Sequence, residues 1–200
     1  MKRDFAAGIL IVCLALSTVG CSRSPRVTFY TLESGAQISS AAAVPSGPAV
    51  VIGPVTLPEV VDRPQLIVRA ATNRVDILET HRWAEPLKSE IPRLIAENLG
   101  RLLGSSRVSS YIQHSGADAV YRVLVDFKRF ESTPGEVVTV EAVWTLRRAG
   151  EGNSKTGRSL AREPVGGEGY DAMVAAYGRA LLAVSNDLAK AIRAETYVGH

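Results

Sequence analysis

The sequence has few of the side chains that bind metals, form disulfides or titrate near neutral pH. Of its 200 residues only two are cysteines, Cys13 and Cys21, and three are histidines. Cys13 lies in an N-terminal apolar run that we expect to be removed, and Cys21 lies where that run ends. The folded part is therefore expected to contain no free thiol, disulfide or cysteine metal site, so a packed core must stabilise it.

Signals for catalysis are also scarce. No two histidines have the spacing of ligands on one helix, and there is neither a G-x-S-x-G elbow nor a phosphate-binding loop. Glu85 and Glu90 fall at the start of a predicted helix, where the positive end of the helix dipole favours acids. We predict no catalytic residues, no metal site, no cofactor and no enzymatic activity.

The N-terminus has the features of a bacterial lipoprotein signal. A basic start precedes the apolar run 5–16, which is shorter than the ~20 residues that span a bilayer. Thr18-Val19-Gly20-Cys21 resembles a lipobox, with Thr18 in place of the usual leucine. Cleavage after Gly20 would leave Cys21 to carry a diacylglycerol and an N-acyl chain such as palmitate. The alternative is an ordinary signal peptide that is cut near a chance cysteine.

The predicted mature chain has little net charge. Cleavage would remove Lys2, Arg3 and Asp4, which leaves 21 basic and 19 acidic side chains and a net charge of +2. A field this weak does not indicate nucleic acid as a partner. We predict a signal peptide at 1–20, a lipidated cysteine with a first strand and a flexible linker at 21–48, and one domain at 49–196.

Hydrophobic periodicity predicts an α+β fold. Apolar residues recur every three to four positions in 86–103 and in 171–194, which predicts two amphipathic helices. Runs rich in β-branched residues predict about seven strands. They lie at 27–33, 49–58, 65–70, 74–80, 107–112, 119–133 and 136–149, and 159–165 is a candidate for a short last strand. We expect a mainly antiparallel or mixed sheet with both helices packed on one face.

The two longest predicted strands have a predicted register. If Pro134-Gly135 forms a two-residue turn, Val125 faces Trp144 and Val123 and Phe127 face Leu146 and Ala142. The same register pairs Lys128 with Glu141. It also sets Arg122 against Arg147, and a longer loop is the alternative.

Several boundary residues carry predictions of their own. Pro92 indicates a helix that is either kinked or begins near Ser89, and Gly104 is expected to end it. Asp171 is the predicted N-cap of the second helix. Residues 151–158 are predicted to be a polar turn and 196–200 to fray. The segment from 74–80 through the first helix to 107–112 is predicted to be a right-handed crossover.

Three stretches resemble one known family. They are "VVIGPVTLPEVVDRPQLIVR", "HRWAEPL" and the final "GYDAMVAAYGRALLAVSNDLAKAI". Together they are similar to the PqiC/YmbA family of ABC-type transport auxiliary lipoproteins. The resemblance covers nearly the whole predicted mature chain, and "DRPQLIVR" and "HRWAEPL" are its most specific parts.

The resemblance implies a location and partners. Such lipoproteins accompany MCE-domain proteins and inner-membrane transporter components that move phospholipid between membranes. It implies a lipid anchor on the periplasmic face of the outer membrane, which Ser22 also favours, and it assigns a role to Cys21 alone. Homo-oligomer formation is left open. We further predict a partner-docking face formed by Asp62, Arg63, Arg69, His81, Arg82 and Trp83.

The sequence is also compatible with other interpretations. Asp62 and Arg63 could simply pair with each other, and Trp83 could fill the core, since tryptophan is highly buried on average. The protein could instead be an adaptor for another outer-membrane assembly machine or, less favoured, an envelope hydrolase. Lipid binding by the domain itself would require an apolar cavity.

Overall fold

The computed structural model describes residues 25–34, 47–111, 119–150, 152 and 154–198. They form eight strands and two helices. The α+β class and the two helices were predicted, and the strand number is close to the predicted seven. The strands are β1 Thr28–Tyr30, β2 Val50–Thr56, β3 Gln65–Ala71, β4 Arg74–Trp83, β5 Val108–Ser110, β6 Tyr121–Thr133, β7 Val137–Arg148 and β8 Ser154–Pro164. The helices are α1 Leu87–Leu103 and α2 Gly169–Val198.

Five strands form the larger sheet, in the order β5-β2-β6-β7-β8. Strand β2 lies parallel to both of its neighbours, whereas β6, β7 and β8 are antiparallel, so the sheet is mixed. The pairing of β2 with β6 shifts register between Ile52 and Val55. This bulge lies at Gly53-Pro54, because proline cannot donate a hydrogen bond to the ladder.

The remaining strands form a second, smaller sheet in the order β1-β4-β3. Strands β3 and β4 are the predicted hairpin, and β1 joins it in parallel to β4. The predicted crossover is wrong, because β4 and β5 belong to different sheets and α1 therefore passes between sheets. The cause is that the C-terminal end of β4 pairs with β1, which lies far away in sequence.

The predicted register of the long hairpin is confirmed in its first half. Val125 pairs with Trp144, and the pairs Val123–Leu146, Phe127–Ala142 and Arg122–Arg147 form as well. The pairing of Lys128 with Glu141 is wrong, because a bulge after Phe127 makes Arg129 the partner of Glu141. The loop has three residues, with Thr133 opposite Val137. Within it Gly135 has the positive φ of 71° that the third position of a type II turn requires.

Helix α1 begins at Leu87 and contains Pro92, so the predicted later start near Ser89 is wrong. Pro86 occupies the N-cap, and its carbonyl accepts a hydrogen bond from the Glu90 N–H at 3.1 Å. Gly104 ends the helix in a left-handed conformation, with a φ of 61°, as predicted.

The C-terminal elements are longer than predicted. Strand β8 begins at Ser154, inside the predicted polar turn, because it pairs with β7 along its whole length. Helix α2 begins at Gly169, so Asp171 lies in the first turn and is not the N-cap. The helix continues to Val198, beyond the predicted fray point at 196, and Thr196 is hydrogen-bonded to the Ile192 carbonyl at 3.0 Å.

Both helices pack on one face of the five-stranded sheet, as predicted. Helix α1 lies against β2 and β5, α2 lies against β7 and β8, and the helices contact each other. The apolar stripes face inwards, and Leu94, Leu99, Leu181 and Leu188 are at most 1% exposed. The core extends under the smaller sheet through Leu66, Val68 and Trp83.

Candidate functional site

The predicted lipidation and cleavage residues, Gly20 and Cys21, lie outside the described residues, so their roles stay predictions. The described chain starts at Pro25, and residues 25–29 are exposed. Tyr30 is the first buried residue, with an exposure of 7%. The first described segment therefore joins the folded body at Tyr30.

Strand β1 is attached to the C-terminal end of β4. Phe29 pairs with Arg82, and Tyr30 pairs with Trp83. One residue beyond the strand pair, the Ala84 N–H donates a 2.8 Å hydrogen bond to the Tyr30 carbonyl. The histidine and tryptophan of "HRWAEPL" thus lie where the N-terminal segment enters the fold.

Four side chains form a cluster at this entry point, which we call the aromatic junction: Tyr30, His81, Tyr170 and Asp171. The Tyr30 hydroxyl and His81 Nδ1 are hydrogen-bonded at 2.7 Å. The rings of His81 and Tyr170 lie 4.3 Å apart between centroids. Burial, together with the nearby Asp171 carboxylate and Tyr170, raises the pKa of Tyr30 above its usual value. Tyr30 is therefore protonated at neutral pH.

A second set of contacts attaches the same segment to α1. The Leu32 N–H donates a 2.7 Å hydrogen bond to Glu90 Oε1, and the Ser34 hydroxyl donates one of 2.8 Å to Asn98 Oδ1. Both acceptors are fully buried. Burial raises the pKa of Glu90, although the Leu32 hydrogen bond and nearby Arg93 act in the opposite direction.

Sequence reasoning missed this role of Glu90. Its place in the first helical turn is compatible with the predicted dipole interaction, but an acid there is usually exposed. Glu90 is instead 0% exposed, and its Oε2 has no hydrogen-bond partner. The spacing was a usable signal, because Glu90 lies three residues from Leu87 and four from Leu94, on the apolar stripe.

A cleft of about 260 Å³ opens beside the aromatic junction, between the β1 segment and the first turns of α2. It is lined by Phe29, Tyr30, Thr31, Glu33, Asp171, Val174 and Ala175. Its lining includes two carboxylates, so it is not the continuous apolar cavity expected of a lipid-binding body.

The structure separates the six predicted docking residues. Trp83 is 5% exposed and packs edge-on against Tyr177 at 5.9 Å between centroids, so it fills the core. Its neighbour His81 is partly buried in the aromatic junction. Arg82 remains partly exposed and is hydrogen-bonded to the Glu79 carbonyl at 3.2 Å.

The other three docking residues lie along the β3 side of the smaller sheet. Asp62 pairs with Lys88 at 2.6 Å, so the alternative in which it pairs with Arg63 is not the contact that forms. Arg63 is exposed. Arg69 pairs with Glu131 on β6 at 2.9 Å and so joins the two sheets. Burial alone would raise the pKa of Glu131, but hydrogen bonds from Arg129 and Arg69 lower it overall.

The described residues contain neither a group of metal ligands nor a membrane-spanning helix. In the described ranges no three His, Cys, Asp or Glu side chains are grouped so as to hold a metal ion. Neither of the two helices described has the length and apolar character needed to cross a bilayer.

Comparisons with known proteins decide the family. The family model for the ABC-type transport auxiliary lipoprotein component matches residues 30–189, which run from the aromatic junction into α2. The chain belongs to this family. No curated protein matches the sequence of this auxiliary lipoprotein component at a significant level.

Solved structures show the same fold at low sequence identity. An uncharacterized protein aligns with a TM-score of 0.69 and 18% identity, over 84% of this chain and 99% of its own. A Xanthomonas campestris protein of the DUF330 family aligns with a TM-score of 0.66 and 16% identity, over 86% of this chain and 100% of its own. At such identities the likeness shows that this auxiliary lipoprotein component shares their fold.

Proposed function

We propose that this protein is a non-enzymatic auxiliary subunit of an ABC-type system that moves phospholipid between the two membranes of a Gram-negative envelope. Lipid on Cys21 anchors it to the periplasmic face of the outer membrane. Its partners are an MCE-domain protein and the inner-membrane transporter components. The match to the transport auxiliary family over residues 30–189 carries this proposal.

The way in which the N-terminal segment is attached supports an anchored role. Tyr30 and Leu32 are held by β4 and α1 through hydrogen bonds of 2.7–2.8 Å. Only six residues of the sequence, 22–27, separate Cys21 from β1. A chain of six residues spans at most about 22 Å when fully extended. The lipid would hold the body close to the leaflet, where it can meet a partner that spans the periplasm.

The anchor is tested by metabolic labelling with radioactive palmitate. Wild type is expected to incorporate label and to fractionate with the outer membrane, whereas Cys21→Ala is expected to lose both properties. Ser22→Asp tests the sorting prediction, since it is expected to move the labelled protein to the inner membrane. An unlabelled wild-type protein would contradict the anchor.

The partners are tested by cross-linking in intact envelopes, followed by purification of the lipoprotein. We expect an MCE-domain protein in the cross-linked complex. Recovery of components of another outer-membrane assembly machine instead would favour the adaptor alternative. Deletion of the gene is expected to weaken the outer-membrane barrier and to slow the exchange of labelled phospholipid between membranes.

The predicted docking face needs a variant that leaves the fold intact. Arg63→Glu meets this requirement because Arg63 is exposed, whereas Arg69→Glu would place a like charge against Glu131. Arg162→Glu on β8 is the matched control, because it makes the same charge change at an exposed site of the other sheet. The docking face predicts that only Arg63→Glu reduces cross-linking, and equal yields from both variants would refute it.

A further inference from the structure

The exposed residues next to the entry point form an apolar pair. Phe29 is 63% exposed, the largest exposure among the big hydrophobic side chains of the described residues, and Val27 is 37% exposed. Phe29 lies in β1, and Val27 comes immediately before the strand, two positions from Phe29. In an extended chain, residues two positions apart project from the same side. Single exposed apolar residues need no explanation. This pair requires one because of its position in the chain.

That position is close to the proposed lipid. Phe29 lies eight residues after Cys21, so even a fully extended chain keeps its Cα within about 29 Å of the lipidated cysteine. For Val27 the limit is about 22 Å. Neither side chain can therefore be far from the surface of the leaflet that holds the acyl chains.

The charge around the pair also suits a phospholipid surface. Arg23 and Arg26 lie between the cysteine and Val27, and no acidic residue occurs from Cys21 through Leu32. Basic residues beside a lipid anchor are attracted to anionic head groups. Two carboxylates, those of Glu33 and Asp171, line the cleft beside Phe29, and the ammonium groups of phosphatidylethanolamine carry the charge that complements them.

We infer that Val27 and Phe29 insert into the phospholipid leaflet and form a second, non-covalent membrane contact that orients the body. This inference rests on the proposed lipid anchor. Phe29 belongs to β1, which pairs with β4, and the residues after β1 are hydrogen-bonded to α1 through Leu32 and Ser34. Insertion of Phe29 therefore fixes the orientation of the folded body relative to the membrane. It also brings the cleft beside the aromatic junction to the level of the head groups.

The cysteine content makes a direct test feasible. Once the signal is removed and Cys21 is lipidated, the protein has no other thiol. Phe29→Cys can thus be labelled at one site with an environment-sensitive fluorophore. Leu160→Cys is the matched control, because Leu160 is 53% exposed but lies on β8, an edge strand of the other sheet. Both lipidated variants are reconstituted in vesicles of phosphatidylethanolamine and phosphatidylglycerol that carry brominated acyl chains.

Membrane insertion predicts that the bromine atoms quench most of the fluorescence at position 29 and little of it at position 160. Emission from position 29 is also expected to shift to shorter wavelength when vesicles are added. Equal quenching at both positions, or none at position 29, would overturn the inference and leave the anchor standing. Palmitate labelling of the same preparations separates the two proposals, because absence of lipid on Cys21 would overturn both.

Discussion

The Leu32 N–H donates a 2.7 Å hydrogen bond to Glu90 Oε1, which joins two residues 58 positions apart. This contact holds the segment that follows β1 against the first turn of α1. Glu90 is fully buried, and its hydrogen bond is one of the contacts that connect the N-terminal segment to the body.

Glu90→Ala is expected to lower the free energy of unfolding by about 1–3 kcal/mol, because it leaves the buried Leu32 N–H without an acceptor. Glu90→Gln keeps an acceptor oxygen at the same position and is expected to lower it less. Urea unfolding followed by circular dichroism measures both variants. Equal losses would show that the hydrogen bond to Leu32 is not the stabilising element.

The raised pKa of Glu90 predicts how stability depends on pH. The usual value is 4.5, and the folded value is higher. Between these two values the folded state holds a proton that the unfolded state has released, so stability falls as pH rises through this window. The difference in unfolding free energy between wild type and Glu90→Gln isolates this effect. As pH rises from 4.5, we expect the wild type to lose unfolding free energy relative to Glu90→Gln. A difference that stays constant with pH would contradict a raised pKa.

Gly157 faces the ring of Trp144 across the β7–β8 pair, and a Cβ at this position would lie 2.1 Å from a ring carbon. Gly157→Ala is therefore expected to lower the free energy of unfolding by about 1–3 kcal/mol through overpacking. Gly166→Ala is the control, because a Cβ there meets nothing within 4 Å. Thermal unfolding of the two variants checks this, and similar melting temperatures would show that Trp144 moves aside freely.

Substitution of Trp83 distinguishes two roles of this side chain, packing in the core and docking a partner. Trp83→Ala is expected to lower the free energy of unfolding by about 3–5 kcal/mol, because it removes a large buried side chain that packs on Tyr177. Phe29→Ala is the control, since a substitution at this exposed site usually changes stability by at most about 0.5 kcal/mol. Chemical denaturation measures both. A stable Trp83→Ala protein that fails to bind its partner would restore the docking role.

Arg122 and Arg147 lie directly opposite each other in the β6–β7 pair, and both are exposed. Like charges in this position are destabilising, so Arg147→Glu is expected to raise the free energy of unfolding by about 0.2–1 kcal/mol. Arg158→Glu serves as the contrast, because it removes the 2.7 Å ion pair with Glu141 and is expected to give no gain. The gain should shrink in high salt, and a gain that persists there would require another cause.

The elements that depend on local pattern could be predicted from the sequence. The two helices follow from their apolar stripes. The β6–β7 register follows from alternation, because a slip of one residue would turn the apolar face outwards. Beyond Phe127 the prediction was wrong, because a bulge changes the register without changing the composition of the strand.

For the candidate site, the sequence marked the right stretch but not its arrangement. It placed His81 and Trp83 at a strand-to-helix junction, and it identified Cys21 as the candidate for lipidation. It grouped Trp83 with Arg63 and Arg69 on one surface, whereas the structure buries Trp83 and uses Arg69 to join the two sheets. An exposed and a buried glutamate look alike in the first turn of a helix, so the role of Glu90 could not be read from local pattern.

What the sequence determined by itself is the kind of protein: an N-terminus typical of a lipoprotein, a body without cysteine, and helices and hairpins set by hydrophobic periodicity. Tertiary structure alone decided that β1 pairs with β4, that the strands divide into two sheets, and that Glu90 holds Leu32. Such contacts join residues more than 50 positions apart. They depend on which surfaces the folded elements bring together, and that information is not present in any short window of sequence.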